Sequence, residues 1–362
     1  MKSLNLKYLN DIRLTSKQVT TVKKIGEYKG KQALFARQTP EILESLKQVA
    51  QIESSESSNR IEGVVAQRGR VKALVAEASK PRDRSEQEIA GYRDSLELVH
   101  DSASYMALSV TTILHVHKTM YRYLPENGGE WKQRDNAILE INPDGTQDIR
   151  FAPVRAAETP QAMETLVQHY GRAMNSEIEP MFVIPLTILD FLCVHPFTDG
   201  NGRVSRLLTL MLLYHREYQV GHYISLERVI EDSKETYYEA LKASSQGWHE
   251  SMHDPMPWLQ YFWGVILRAY KEFEERVGEV RSTKISKTEQ VRMAVNRKIG
   301  QFAISDIESE CPHISRDMIK LVMRDLRDEG AITVKGKGRG AKWVRNAEVP
   351  VGAGSEESKG EN

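Results

Sequence analysis

The sequence predicts a mostly α-helical protein: a helical core interrupted by one β-hairpin, then a small C-terminal domain of short helices and two strand pieces. Three observations carry this. Apolar residues recur at helical spacing through most of residues 40–280. Strand-like alternation in that range is confined to 137–152, around the turn sequence Asn142-Pro143-Asp144-Gly145. After a polar stretch at 279–288 the pattern shifts to short helices, a turn and two apolar-polar alternations.

The elements follow in order. Residues 40–57 place Ile42, Leu43, Leu46, Val49 and Ile52 at helical spacing and run into Ser-Asn-Arg-Ile-Glu-Gly at 58–63, where Gly63 suits a helix C-cap. Further helices are expected at 86–107, 110–123, 160–174, 180–194, 202–216, 233–246 and 256–279. The run 181–194 is nearly all apolar and too long for a typical strand, so it reads as a buried helix. Ala137–Ile141 and Ile149–Ala152 form the arms of the hairpin. Beyond the linker, helices are expected at 289–299, 304–310 and 315–330, the last with Ser315 as N-cap and Gly330 at its end. Strands are expected near Ala331–Val334 and Ala341–Arg345. The resulting domains are an N-terminal helical region (1–109), a core (110–280), a C-terminal domain (285–345) and a disordered Gly/Ser/Glu-rich tail (346–362).

Composition narrows the function classes. The chain has 362 residues with 50 basic and 50 acidic side chains, so global charge points neither to nucleic acid nor to a membrane surface. The two cysteines, Cys193 and Cys311, fall in different segments and argue against a disulfide or zinc framework. The 181–194 run is too short to span a bilayer and contains Pro185 and Asp190. The N-terminus lacks an apolar segment of signal-peptide length. The expectation is a soluble, cytoplasmic protein with no membrane partner.

The chemistry concentrates at 195–206, HPFTDGNGRVSR, between two expected helices. Gly200 and Gly202 let backbone approach a ligand closely. Consecutive N–H groups at the start of a helix favour an anion. Asn201 can donate from its amide to a phosphate oxygen. Arg203 and Arg206 share a helix face and offer forked donors to a polyphosphate. Asp199 is a hard oxygen ligand of the kind Mg²⁺ takes together with phosphates. His195 has the side chain suited to general-base work near neutral pH. Each feature alone is a common structural one: a turn, a helix cap, a solvated face.

Together they resemble the Fic (Fic/Doc) family, whose motif H-x-F-x-[D/E]-G-N-G-R-x-x-R is matched at His195, Phe197, Asp199, Gly200, Asn201, Gly202, Arg203 and Arg206. The resemblance implies a Fic-type helical core with a β-hairpin flap and transfer of AMP from ATP to a hydroxyl of a target protein. It implies that His195 takes the hydroxyl proton and that Asp199 holds Mg²⁺ (or Mn²⁺). Gly200, Asn201, Gly202 and Arg203 would cradle the phosphates, Arg206 would hold the γ-phosphate, and Phe197 would anchor the loop.

In this context residues 58–63 look like the family's inhibitory motif, [S/T]-x-x-x-E-[G/N], at Ser58, Glu62 and Gly63. The implied mechanism is competition, with Glu62 pairing with Arg206 in place of the γ-phosphate. Trp131, Lys132, Arg134 and Asn136 match the W-K-x-R-x-N-like stretch that precedes the family's flap. Ile138, Leu139 and Glu140 are then the flap strand that clamps a target by strand addition. The family places aromatic and polar residues near the base on a following helix, here Tyr237, Tyr238, Leu241 and Ser245. Core packing explains the Tyr237-Tyr238 pair equally well.

The C-terminal pattern resembles a winged helix-turn-helix domain, found at the C-terminus of many Fic proteins. Its wing carries Lys335, Lys337, Arg339, Lys342 and Arg345 with no acidic residue from 331 to 345, which suits DNA phosphate. The preceding helix carries Asp317, Asp325, Asp328 and Glu329, so a winged helix used for protein contacts or a homodimer stays open. The leading reading is an autoinhibited protein adenylyltransferase. Its rivals are a Fic enzyme that transfers another nucleotide or removes AMP, and a DNA-binding regulator that uses the Fic domain as a nucleotide sensor.

Overall fold

A computed structural model describes residues 3–38, 40–141, 146–284, 287–296, 298, 301–311, 314–336 and 341–346. The expected turn at 142–145, the wing residues Lys337 and Arg339, and the tail from 347 lie outside the described residues. The chain divides into two compact units, Met1–Val277 and Gly278–Asn362.

The first unit begins with α1 (Leu6–Asp11), α2 (Ser16–Gln38), α3 (Pro40–Ile61) and α4 (Arg68–Ala76). Then follow α5 (Arg84–Ser102), α6 (Val110–Met120), the hairpin strands β1 (Ile138–Ile141) and β2 (Gln147–Phe151), and α7 (Thr159–Met174). It continues with α8 (Pro180–Val194), α9 (Asn201–His215), α10 (Leu226–Glu231), α11 (Lys234–Ser245) and α12 (Met256–Lys284), which runs past the unit boundary.

Local chemistry sets several boundaries. Asp83 and Ser109 cap α5 and α6, their side chains accepting from the Glu86 and Thr112 N–H groups at 2.9 and 3.0 Å. Gly63, at φ +83°, ends the turn after α3, and the Ile61 carbonyl there accepts from Lys234 Nζ at 2.6 Å. α8 is apolar on all sides and buried from Val183 to Val194, as a central helix must be. It packs between α7 and α9.

One core runs from Leu4 through Ile25, Tyr92 and Phe197 to Val277. The division expected at 109/110 therefore does not separate two compact bodies: the N-terminal helices share the core of the segment that follows. The expected helices are present, whereas α1, α2, α4 and α10 were not anticipated. Among the described residues no helix is long and apolar enough to cross a membrane.

The second unit contains α13 (Lys287–Asn296), β3 (Gln301–Phe302), α14 (Ile304–Glu310), α15 (Arg316–Asp328), β4 (Ile332–Lys335) and β5 (Lys342–Arg345). Its antiparallel sheet has the order β3-β5-β4. The N-cap expected at Ser315 forms, accepting from the Met318 N–H at 3.4 Å, and Gly330 follows α15 at φ +77°. Val291, Phe302, Ile307, Ile319, Val322 and Leu326 belong to its separate core. The two-residue strand β3 was not anticipated.

Candidate active site

The loop between α8 and α9 is held from below. Phe197 is fully buried and stacks on His117 at a centroid distance of 3.8 Å. The Gly129 N–H donates to His117 Nδ1 at 2.8 Å, so Nε2 carries the proton and donates to the Asp199 carbonyl at 3.2 Å. Burial lowers the His117 imidazole to about 4, which keeps it in this neutral tautomer. Asn201 closes the loop on itself: its Oδ1 accepts from the Phe197 N–H at 2.9 Å and its Nδ2 donates to the Phe197 carbonyl at 2.8 Å. At 2% exposure this amide serves as a loop clamp, whereas the sequence pointed to a phosphate donor. The physical reason is that the turn leaves two buried backbone groups that need partners.

Gly200 takes φ +82°, and a Cβ there would lie 2.6 Å from Met120 Cε. Asp199 keeps its side chain 66% exposed. Its Oδ1 accepts from the Gly200 N–H at 2.6 Å, and its Oδ2 from Tyr121 Oη at 3.2 Å and Arg203 Nη2 at 3.4 Å.

His195 terminates α8 in a left-handed conformation, φ +51° and ψ 60°. Its Nδ1 lies 3.3 Å from the Leu192 carbonyl. A carbonyl only accepts, so this contact puts the proton on Nδ1 and leaves the Nε2 lone pair free. Burial lowers the imidazole to about 4; the Leu192 carbonyl opposes that shift and the Lys132 cation adds to it.

The two arginines differ. Arg203 is buried against Glu88 and Asn59, with Nη1 donating to both. Arg206 is buried against α3: Nε donates to Ser58 Oγ at 2.8 Å, and Nη2 donates to the Ser58 carbonyl at 2.9 Å and to Glu62 Oε1 at 2.8 Å. Its Nη1 is buried and has no hydrogen-bond partner among the described residues. Burial would weaken the Arg206 cation, but Glu62, with Tyr237 and Tyr92, outweighs it and raises its pKa further. Ser54 and Ser58 lie four apart on one stripe of α3, and Glu62 continues that spacing in the turn that follows, so all three face this site. Ser54 Oγ donates to the buried Glu227 at 2.7 Å, and Tyr92 Oη donates to the same carboxylate at 2.9 Å. Glu62 also crowds Gly202, where a Cβ would come within 2.2 Å of Oε1.

A cavity of about 440 Å³ joins these parts. Glu62, Gly202 and His195 line it together with Ile138, Leu139 and Glu140 of β1 and with Tyr237, Tyr238, Leu241 and Ser245 of α11. Tyr237 is 3% exposed and also packs on Trp258, so it serves core and cavity at once. The flap is antiparallel, with Leu139 opposite Ile149 and Glu140 opposite Asp148. It is clasped to α11 by Lys242 Nζ, which donates to Glu140 at 2.6 and 2.9 Å. The register shifts between Ile138 and Leu139, where Arg150 is the extra residue of β2. Arg150 lines the cavity with its guanidinium 5.7 Å from the Tyr238 ring centroid.

The motif loop, His195 and the flap strands lie within a segment, 107–213, that matches the sequence model of the Fic/DOC family, whereas Glu62 and the α11 residues of the cavity lie outside it. Residues 107–213 form a Fic/DOC domain. The chain is similar to the protein adenylyltransferase Fic of Drosophila ananassae, 26% identical over 166 residues that make up 44% of this chain and 29% of that protein. It is equally similar to the Drosophila melanogaster protein of the same name, 26% identical over 145 residues, 39% of this chain and 25% of that one. The match thus spans less than a third of these relatives. Among solved structures, a Fic family protein from Desulfovibrio desulfuricans superimposes with a TM-score of 0.61 at 20% identity, covering 94% of this chain and 98% of that chain. A Fic domain containing signaling protein from Bacteroides thetaiotaomicron gives 0.59 at 21% identity, covering 72% and 97%. These likenesses show the fold.

The sequence did not single out Asn59, Glu88, His117, Tyr121, Arg150 or Glu227 around the Fic/DOC domain's loop. Ser54, at four-residue spacing before Ser58, was the one locally visible clue to the buried side of α3.

Proposed function

We propose that the chain is an autoinhibited protein adenylyltransferase that transfers AMP from ATP to a hydroxyl side chain of a target protein. The observation that carries this reading is that Glu62, which lines the cavity with Gly202 and His195, holds the buried Arg206 Nη2. His195 Nε2 takes the proton of the target hydroxyl, whose oxygen attacks the α-phosphorus. The bond to the bridging oxygen of the β-phosphate breaks and pyrophosphate leaves. The N-terminal N–H groups of α9 and the Arg206 guanidinium bind phosphate oxygens. Tyr237, Tyr238 and Ser245 border the base, and the flap strand presents the target chain by strand addition.

Asp199 fits a divalent cation: it is an exposed carboxylate beside the anion-binding end of α9, the donor type that Mg²⁺ or Mn²⁺ takes together with phosphates. A cation bound there neutralises phosphate charge. Glu62 inhibits by holding the Arg206 Nη2 and filling the space over Gly202, so ATP cannot place its terminal phosphate productively. Incubation of Glu62→Gly with labelled ATP, GTP, UTP and CTP tests the reading. Incorporation from ATP that His195→Ala abolishes supports it; labelling equal in wild type and Glu62→Gly removes the inhibitory role. Preference for another nucleotide, or release of AMP from a modified protein, would turn the assignment to the rival Fic chemistry.

The second unit supports a winged helix reading through its order of helix, strand, two helices and two strands around a three-stranded sheet. Lys335 and Lys342 lie on β4 and β5. A gel shift titrated with salt tests DNA as partner, because phosphate-dominated binding weakens steeply as salt rises.

A further inference from the structure

His195 occupies a backbone conformation that non-glycine residues rarely adopt. That conformation is strained and needs neighbouring contacts that enforce it. The contacts converge from one short segment. The Lys132 backbone N–H donates to the Pro196 carbonyl at 2.9 Å. Lys132 Nζ donates to the Val194 carbonyl at 3.1 Å. One residue therefore grips the carbonyls of the two residues that flank His195, Val194 and Pro196. Nζ also donates to Asn136 Oδ1 at 2.9 Å, and Asn136 Nδ2 donates to the Phe197 carbonyl at 3.2 Å.

Lys132 is 2% exposed, an environment in which a lysine is seldom placed for packing alone. Burial lowers its ammonium to about 8, so it keeps its donors at neutral pH at a desolvation cost. Among the described residues no carboxylate forms an ion pair with it. A methionine would fill the same space without that cost. The three N–H bonds are what the ammonium adds, and two of them go to Val194 and Asn136.

We propose that Lys132, seconded by Asn136, is a positioning residue that locks the left-handed turn at His195 and so aims its imidazole into the cavity. The inference concerns backbone geometry and does not depend on the transferred group.

The decisive variant is Lys132→Met, which keeps volume and the backbone N–H but removes the Nζ donors, with Lys132→Arg as the conservative partner. In a crystal structure of Lys132→Met, the His195 φ is expected to leave the left-handed region and the Val194 carbonyl to turn away. In the Glu62→Gly background, kcat is expected to fall about 100-fold, the scale for a misplaced catalytic group, with KM for ATP unchanged within about twofold. Lys132→Arg should restore at least about a tenth of the parent kcat. A left-handed His195 retained in Lys132→Met overturns the proposal, as does an unchanged kcat. If Lys132→Met does not fold, Asn136→Ala gives the same readouts with Lys132 present: a shifted His195 φ supports the clamp, and an unmoved one overturns it. Should the Glu62→Gly parent transfer no nucleotide while His195 shifts in Lys132→Met, the transferase reading falls and the positioning role stands.

Discussion

Glu62 Oε1, in the turn that follows α3, accepts a hydrogen bond from Arg206 Nη2 of α9 at 2.8 Å, and the two residues lie 144 positions apart in sequence. Arg206 is buried and also fixed by Ser58, whereas the Glu62 side chain is 31% exposed. The carboxylate is therefore the movable half of the pair. Hydrogen bonds to charged groups contribute about 1.5–3 kcal/mol, and partial exposure places this one at the lower end. Incorporation of labelled AMP by Glu62→Gly should then exceed wild type by about tenfold, the equivalent of about 1.4 kcal/mol. Ser58→Ala should raise it less, because it removes one Arg206 contact and leaves Glu62 in place.

Asn201 gives a prediction that does not involve nucleotide. Asn201→Ala leaves the Phe197 N–H and carbonyl without the partners they have at 2.9 and 2.8 Å. Both groups lie beside a fully buried ring. The Phe197 carbonyl keeps the Asn136 amide at 3.2 Å, so the N–H is the group left orphaned. An orphaned buried group costs about 1–3 kcal/mol, and the variant should lose about that much in chemical denaturation of the ligand-free protein. A stability loss under about 0.5 kcal/mol would show that Asn201 does not serve as the loop clamp.

The helices that were legible in the sequence are those whose apolar face meets the core: α8 with its unbroken apolar run, and α5, α6, α7 and α9 with periodic ones. α2 was missed because Ile25 is its sole buried residue among those whose burial is described, too little to make a periodic signal. α10 is six residues long and carries Arg228, whose pairs with Glu53 and Glu272 come from distant helices. The motif loop was legible because its residues are contiguous. Glu88 was not, since its partner Arg203 lies 115 positions away and an acidic residue on α5 looks locally like any solvated one.

That Glu88–Arg203 pair is buried on both sides, at 7% and 2% exposure. Removing Glu88 leaves the Arg203 cation with only the longer contacts to Asn59 Oδ1 at 3.3 Å and to the exposed Asp199 carboxylate at 3.4 Å. Glu88→Ala should therefore cost about 3–5 kcal/mol, measured by denaturant midpoint. Glu88→Gln keeps an acceptor for Arg203 and should cost less. Equal stability of Glu88→Ala and wild type would mean that Arg203 finds another acceptor.

The buried histidines set the response to acid. Desolvation lowers His100 to about 3 and His117, His195 and His222 to about 4, against 6.5 for a free imidazole. Between pH 6.5 and about 4 the unfolded chain binds protons that the folded chain refuses, so stability must fall as pH drops through that window. Asp190 acts oppositely: burial raises it to about 6, so the folded chain takes its proton first, and this one group offsets part of the loss. The denaturant midpoint should be lower at pH 5 than at pH 7; an unchanged midpoint would contradict desolvated imidazoles. Activity should follow a different curve. A base must be neutral to accept a proton, and His195 stays neutral down to about 4. The initial rate of Glu62→Gly should thus stay level from pH 7 to 5 wherever the protein remains folded. An acid limb centred near 6.5 would place the His195 imidazole in water rather than in the closed cavity.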